Sequence, residues 1–139
     1  MATLKVTYSA TAALTIVTTA LAAAGIVYSS EISNTATRYQ DFQISIHVES
    51  TLAAASTVWC AVKILPANDS TNYATWNSGI SIGFIDFSSA TAQTAPFILS
   101  NYFLVPPSNF KIGLQNNSGA VLSASGHWAN YIGVNLEST

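Results

Sequence analysis

The sequence predicts an all-β protein: a two-sheet antiparallel β-sandwich, jelly-roll-like, with about eight short strands. Three observations predict this fold. Short stretches alternate apolar and polar residues with a period of two. Clusters of Gly, Pro, Asn and Ser separate these stretches at the spacing typical of sandwiches and barrels. No long segment has the period of an amphipathic helix, about 3.6 residues. The length of 139 residues fits one domain, so we expect residues 1–139 to form a single β-sandwich.

The chain begins with an apolar stretch, residues 6–30, that contains no charged side chain. A membrane span needs about 20 mostly apolar residues, and Thr and Ser interrupt this stretch repeatedly. A secretory signal peptide is an alternative, with Lys5 as its basic residue and a small-residue cleavage site at 20–22. A helical turn over 19–24 is a further alternative for that part.

We favour β-strands for this stretch. Residues 4–8 alternate apolar and polar side chains, and residues 14–18 do so more loosely. Gly25 then breaks the pattern before a short apolar run at 26–28. We also expect residues 1–30 to form an N-terminal arm that packs on a neighbouring subunit.

Strands are predicted next in the middle of the chain. The segment "DFQISIHVES" (41–50) alternates cleanly, which is typical of a half-buried strand. The run "TVWCAVKILP" (57–66) is rich in β-branched residues and suits a central strand that ends at a proline. A loop or hairpin is predicted for "ANDSTNYATWNSG" (67–79), and "ISIGFIDF" (80–87) is predicted to be the following strand.

The last third of the chain predicts the remaining strands. "PFILSNYFLVPP" (96–107) predicts a strand that ends before a proline pair, and "NFKIGLQN" (109–116) alternates in the same way. Asn tolerates left-handed dihedral angles and Gly permits them, so Asn116–Gly119 predicts a tight hairpin turn after which 120–123 returns. "HWANYIGVNL" (127–136) is the predicted final strand.

Composition restricts the partners. Hydrophobic residues make up 50% of the chain and charged residues only 7%, whereas an average soluble domain is about 25% charged. The net charge is −2 and the four basic residues are scattered, so we expect neither a nucleic-acid nor a membrane partner. A surface with so few charges has little repulsion against association, which favours a homo-oligomer. The alternative is a monomeric β protein rich in Ser and Thr.

The ionisable residues form no recognisable catalytic or metal-binding motif. No nucleophile elbow surrounds a serine, and His47, His127 and Cys60 lack the spacing of metal ligands. The lone Cys60 cannot form an intrachain disulfide, and its apolar flanks predict a buried thiol. "NDSTN" (68–72) has one carboxylate and is interpreted as a turn rather than a calcium loop. We therefore predict a protein that is not an enzyme and uses no cofactor or metal.

Aromatic residues are the remaining candidates for a site. Tyr73 and Trp76 lie in the long loop, and Trp128 and Tyr131 lie near the C-terminus. Exposed aromatic side chains can stack on sugars or anchor a subunit interface, whereas buried ones are simply core. These four residues are the predicted interface or ligand aromatics.

Three segments carry a resemblance to a known family. The first, "SSEISNTATRYQDFQISIHV", has Ser, then Asn-x-Thr, then Tyr-x-Asp entering a strand. The second is "VWCAVKILPANDSTNYAT", and the third is "VPPSNFKIGLQNNSGAVLSASGHWANYIGVNLES". Together they resemble small virion structural proteins of tailed bacteriophages. The chain departs from the family pattern at Ser70, where relatives often have Gly, and at Phe110, where they often have Trp.

The resemblance implies a non-enzymatic component of a phage particle. It favours a capsid decoration or cement protein on the exterior of the head, in contact with the major capsid protein or other virion subunits. A tail or head-to-tail connector subunit and a carbohydrate-binding β-sandwich module are the alternatives.

Overall fold

The computed structural model describes residues 4–16, 21–36, 38–48, 51–52, 59–69, 71–86, 93–94, 97–105, 108–117, 121–122 and 128–138. Within these ranges the chain forms eleven β-strands and one short 3-10 helix, Trp76–Ser78. The strands are β1 Leu4–Tyr8, β2 Ala12–Leu14, β3 Ile26–Tyr28, β4 Asp41–Val48, β5 Thr51–Leu52, β6 Trp59–Pro66, β7 Ile80–Asp86, β8 Gln93–Thr94, β9 Phe97–Leu104, β10 Phe110–Asn116 and β11 Trp128–Ser138.

The strands form two antiparallel sheets, which confirms the predicted β-sandwich. Sheet A has the order β1-β11-β4-β9, with β2 also paired to β11. Sheet B has the order β3-β10-β6-β7, and β5 and β8 pair separately. Apart from β1 and β2, both in sheet A, and the adjacent pair β6 and β7 in sheet B, the chain alternates between the two sheets, and the strand orders are those of a jelly roll.

A single two-stranded ribbon accounts for half of this topology. It consists of β4, β5 and β6 on one side and β9, β8 and β7 on the other. Asp41 pairs with Leu104, Thr51 with Thr94 and Val62 with Gly83, so the pairing continues from one sheet to the next without a shift in register. The ribbon passes from sheet A to sheet B through β5 and β8. One bulge interrupts it within sheet B, where the register shifts between Val62 and Lys63.

The core lies between the two sheets. The apolar residues of β4 are all buried and alternate with half-buried polar residues, as predicted. Phe42 of sheet A meets Phe110 of sheet B edge-to-face, with ring centroids 5.2 Å apart. The other fully buried large side chains of this core layer are Ile32, Ile44, Ile46, Val48, Ile64, Ile112 and Leu122. Leu65 is also buried, but it follows Ile64 on β6 and so lies on the opposite face of sheet B, against the position of Gly113.

The strands predicted in the N-terminal region are present and pair within their own chain. Strands β1 and β2 pair with β11, and β3 pairs with β10. The contact of residues 1–30 with a neighbouring subunit stays a prediction. Among the residues described, none belongs to a helix that is long and apolar enough to cross a membrane.

The predicted hairpin after β10 is wrong. Strand β10 lies between β3 and β6, so both of its edges are already paired, and Val121 and Leu122 belong to no strand. Asn116 is the last residue of β10 and is fully buried, and Ser118–Ala120 lie outside the described residues. The Asn at this position serves tertiary hydrogen bonding rather than turn geometry, which the local sequence does not reveal.

Candidate functional site

The loop from Ala67 to Gly79 lies on the outer face of sheet B. It begins as a tight turn in which Ala67 forms a bridge with Tyr73 and the N–H of Asn68 donates to the carbonyl of Asn72 at 2.7 Å. The N–H of Ala74 then donates to the carbonyl of Pro66 at 2.8 Å. These bonds direct the rest of the loop back along β6.

Asp69 stabilises the tip of this loop. Its Oδ1 accepts hydrogen bonds from the N–H groups of Thr71 and Asn72, both at 2.8 Å, and its Oδ2 accepts one from Asn72 Nδ2 at 2.7 Å. The side-chain amide of Asn72, followed by these backbone N–H groups, holds the pKa of the Asp69 carboxyl well below its usual range. Asp69 therefore makes Asx-type hydrogen bonds to Thr71 and Asn72, and Ser70 lies outside the described residues.

Trp76 of the loop lies directly against the sheet. A Cβ atom on Gly113 of β10 would lie 2.9 Å from Cζ3 of the Trp76 indole, so the ring rests on a position where only glycine leaves room. The ammonium group of Lys63, on β6, lies over the ring. Its Nζ lies 4.9 Å from the ring centroid and donates to the Trp76 carbonyl at 3.0 Å.

Tyr73 has a similar partner. The Nζ of Lys111, on β10, lies 4.2 Å from the centroid of the Tyr73 ring, within cation–π distance. All four side chains are half-buried. We call Lys63, Tyr73, Trp76 and Lys111 the aromatic–lysine patch.

The other two predicted aromatic residues lie on sheet A. Tyr131 is half-buried and packs at the edge of the core, with its ring centroid 5.7 Å from that of Phe42. Trp128 pairs with His47, and its side chain lies outside the described part of the chain. The four residues therefore do not form one platform, and a ligand or partner for any of them stays a prediction.

Sequence reasoning missed the two lysines and a second surface. Both lysines lie on the outward positions of their strands, but only the pairing of β6 with β10 brings them together. The second surface is an apolar outer face on sheet A. It consists of large side chains that are 46–80% exposed: Val6, Tyr8, Tyr102, Leu104 and Leu136.

The register of sheet A explains this apolar outer face. Phe42 and Phe103 pair and both point inward, so the neighbouring pair of Asp41 and Leu104 points outward. Tyr8 reaches the same row through its pairing with Val134, which pairs with Asp41. The row thus runs across all four strands of the sheet, but its member on β4 is Asp41, and the other outward residues of β4 are polar as well. The apolar outer face therefore has two parts, one on β1 and β11 and one on β9.

The segment of the phage resemblance that precedes β4 has a structural role. The Asn34 side chain is fully buried, donates through Nδ2 to the Tyr39 carbonyl at 3.0 Å, and accepts from the Tyr39 N–H at 2.8 Å. Tyr39 packs over Gly133 of β11 so closely that a Cβ atom there would overlap the ring. Asn34 and Tyr39 therefore fix the entry of the chain into sheet A.

The one cysteine of the chain lies in the core. Cys60 is fully buried, and this burial raises the pKa of its thiol to about 12, so the thiol is neutral at physiological pH. The described residues include no group of three or more His, Cys, Asp or Glu side chains that could hold a metal ion.

Comparison with known proteins finds a weak structural similarity. No family model matches the chain, and no curated protein sequence matches it. The chain is similar to a solved structure of the enzymatically active domain of tailspike protein 4 from bacteriophage CBA120. The two share 12% identity with a TM-score of 0.35, over 96% of this chain and 19% of that one. The chain thus spans about a fifth of the length of that structure.

Proposed function

We propose that this chain is a non-enzymatic structural subunit of a tailed-bacteriophage particle, a decoration or cement protein on the exterior of the head. In this proposal it forms homo-oligomers and contacts the major capsid protein or other virion subunits. The three sequence segments that resemble phage virion proteins support it. Jelly rolls also occur in viral capsid domains, although a fold alone does not define a function.

The apolar outer face of sheet A is the observation that carries the proposal. Leu104 is 80% exposed and Tyr8 is 62% exposed, on opposite edges of one sheet. Burying a large apolar side chain contributes about 1.5–3 kcal/mol, so a few such residues can hold a subunit on a neighbour. In a chain with so few charges, adhesion of this kind depends on apolar area rather than on ion pairs.

This mechanism makes the Leu104→Asp variant informative. We expect purified protein to bind capsids that lack it, and we expect Leu104→Asp to weaken binding at least about tenfold, because the carboxylate would be desolvated in the interface. Val121→Asp is the matched control, since Val121 is 60% exposed but lies outside sheet A. Capsid occupancy measured by co-sedimentation gives the two affinities.

The same assay tests the absence of ion pairs at the interface. We expect the wild-type affinity to change little between roughly 0.1 M and 1 M NaCl. A wild-type protein that does not bind capsids contradicts the proposal, as does equal binding by Leu104→Asp and the wild type.

A further inference from the structure

We propose that the aromatic–lysine patch on the outer face of sheet B binds the carboxylate of an acidic sugar, a hexuronic acid residue of a polysaccharide. This surface lies on the other sheet from the apolar outer face. The inference therefore stands independently of the function proposed above.

The two ammonium groups of the patch come from adjacent positions. Lys63 pairs with Gly113, and Lys111 pairs with Leu65, so the lysines are diagonal neighbours on β6 and β10. Diagonal neighbours on one face lie about 7–8 Å apart, with their Cβ atoms somewhat closer. Both side chains are half-buried and held in place by a ring, so their charges are positioned before any ligand arrives.

Neither ammonium group has a carboxylate partner among the residues described. The contacts of Lys63 are the Trp76 ring and the Trp76 carbonyl, and the contact of Lys111 is the Tyr73 ring. Asp69 belongs to the same loop, but its two oxygens accept hydrogen bonds from Thr71 and Asn72. Half-buried cations without a counter-charge favour an anionic ligand. Each ammonium group also retains N–H groups that can donate hydrogen bonds to a carboxylate.

A ring beside the lysines favours a sugar as the carrier of that carboxylate. Tyr28 of β3 pairs with Gly113 on the side opposite Lys63, and it is 45% exposed. A row across three strands therefore contains Tyr28, then Gly113 with the Trp76 indole over it, and then Lys63. An exposed aromatic ring next to positive charge suits the apolar face of a pyranose that carries a carboxylate.

The charge of the ligand can be tested on the wild-type protein alone. In an NMR titration, tetragalacturonic acid is compared with its methyl ester, which has the same sugar rings without the charge. We expect the free acid to bind at least about tenfold more tightly, because charge-assisted hydrogen bonds to ammonium groups are lost in the ester. The shifted signals are expected to include the Trp76 indole N–H and the Gly113 amide.

Variants then locate the site. We expect Lys63→Gln and Lys111→Gln each to weaken binding of the free acid about tenfold or more, with unfolding temperatures near that of the wild type. Lys5→Gln, an exposed lysine on β1 of sheet A, is the matched control and is expected to bind normally. The inference is overturned if the wild type does not bind the free acid or binds acid and ester equally. It is also overturned if both patch variants bind the free acid as tightly as the wild type does. If a variant does not fold, the comparison of acid with ester still decides the matter.

Discussion

Replacing Phe42 with alanine is expected to lower the free energy of unfolding by about 3–5 kcal/mol. Phe42 is 1% exposed and contacts an aromatic ring on three sides. Its edge-to-face partners are Tyr39 at 5.6 Å and Phe110 at 5.2 Å between centroids, and Tyr131 lies at 5.7 Å. Alanine would leave a cavity between the sheets that the neighbouring strands, fixed by their hydrogen bonds, can fill only in part.

Urea denaturation of the wild type and Phe42→Ala measures this loss. Phe84→Ala is the matched control, because Phe84 is 60% exposed on edge strand β7 and most of its ring already contacts water. We expect the control to cost less than about 1 kcal/mol. A loss for Phe42→Ala no larger than that of the control would mean that the two sheets do not pack around this ring.

Replacing Asn116 with alanine is expected to cost about 2–4 kcal/mol. Its Nδ2 donates to the carbonyls of Leu21 at 2.9 Å and Ala22 at 3.1 Å, and its side chain is fully buried. Each carbonyl keeps a second donor, the Leu122 N–H for Leu21 and the Gly25 N–H for Ala22. The cost therefore comes from the two lost hydrogen bonds, about 0.5–1.5 kcal/mol each, and from the cavity that the buried side chain leaves. These bonds also hold the turn that contains Ala24, whose φ of 60° is unfavourable for a residue with a Cβ atom.

The adjacent residue provides the control for this prediction. Asn117 is half-buried and directly follows the strand, and its alanine variant is expected to change stability by about 0.5 kcal/mol or less. Thermal and urea unfolding of both variants give the comparison. Equal stabilities of Asn116→Ala and Asn117→Ala would show that the buried amide does not contribute as described.

Local pattern was sufficient to predict the fold class and most strands. The alternation in β4 follows from its position in a sheet with one face on the core and one face outward, so it is visible in the sequence. The alternation in β7 misleads, because its bulge places Ile85 in the core and leaves Phe84 and Ile80 exposed. A bulge changes which face a residue occupies, and a single sequence does not show where it occurs.

The surfaces could not be predicted, because they depend on pairing between distant segments. Lys63 and Lys111 are 48 positions apart in the sequence and become neighbours only through the register of β6 with β10. Tyr8 and Leu104 likewise share a row only through β11 and β4. Asn116 is predicted to lie in a turn because asparagine favours turns. It lies buried at a strand end instead, because its side chain donates to the carbonyls of Leu21 and Ala22.

The copy number of this chain in a mature particle tests the proposed role most directly. Quantitative mass spectrometry of purified virions, with the major capsid protein as the internal reference, gives that number. A decoration or cement protein repeats with the capsid lattice, so we expect hundreds of copies per particle. A count of six, twelve or a few dozen would contradict a head-decoration role and assign the chain to the tail or connector, and its absence from the particle would contradict a virion role altogether.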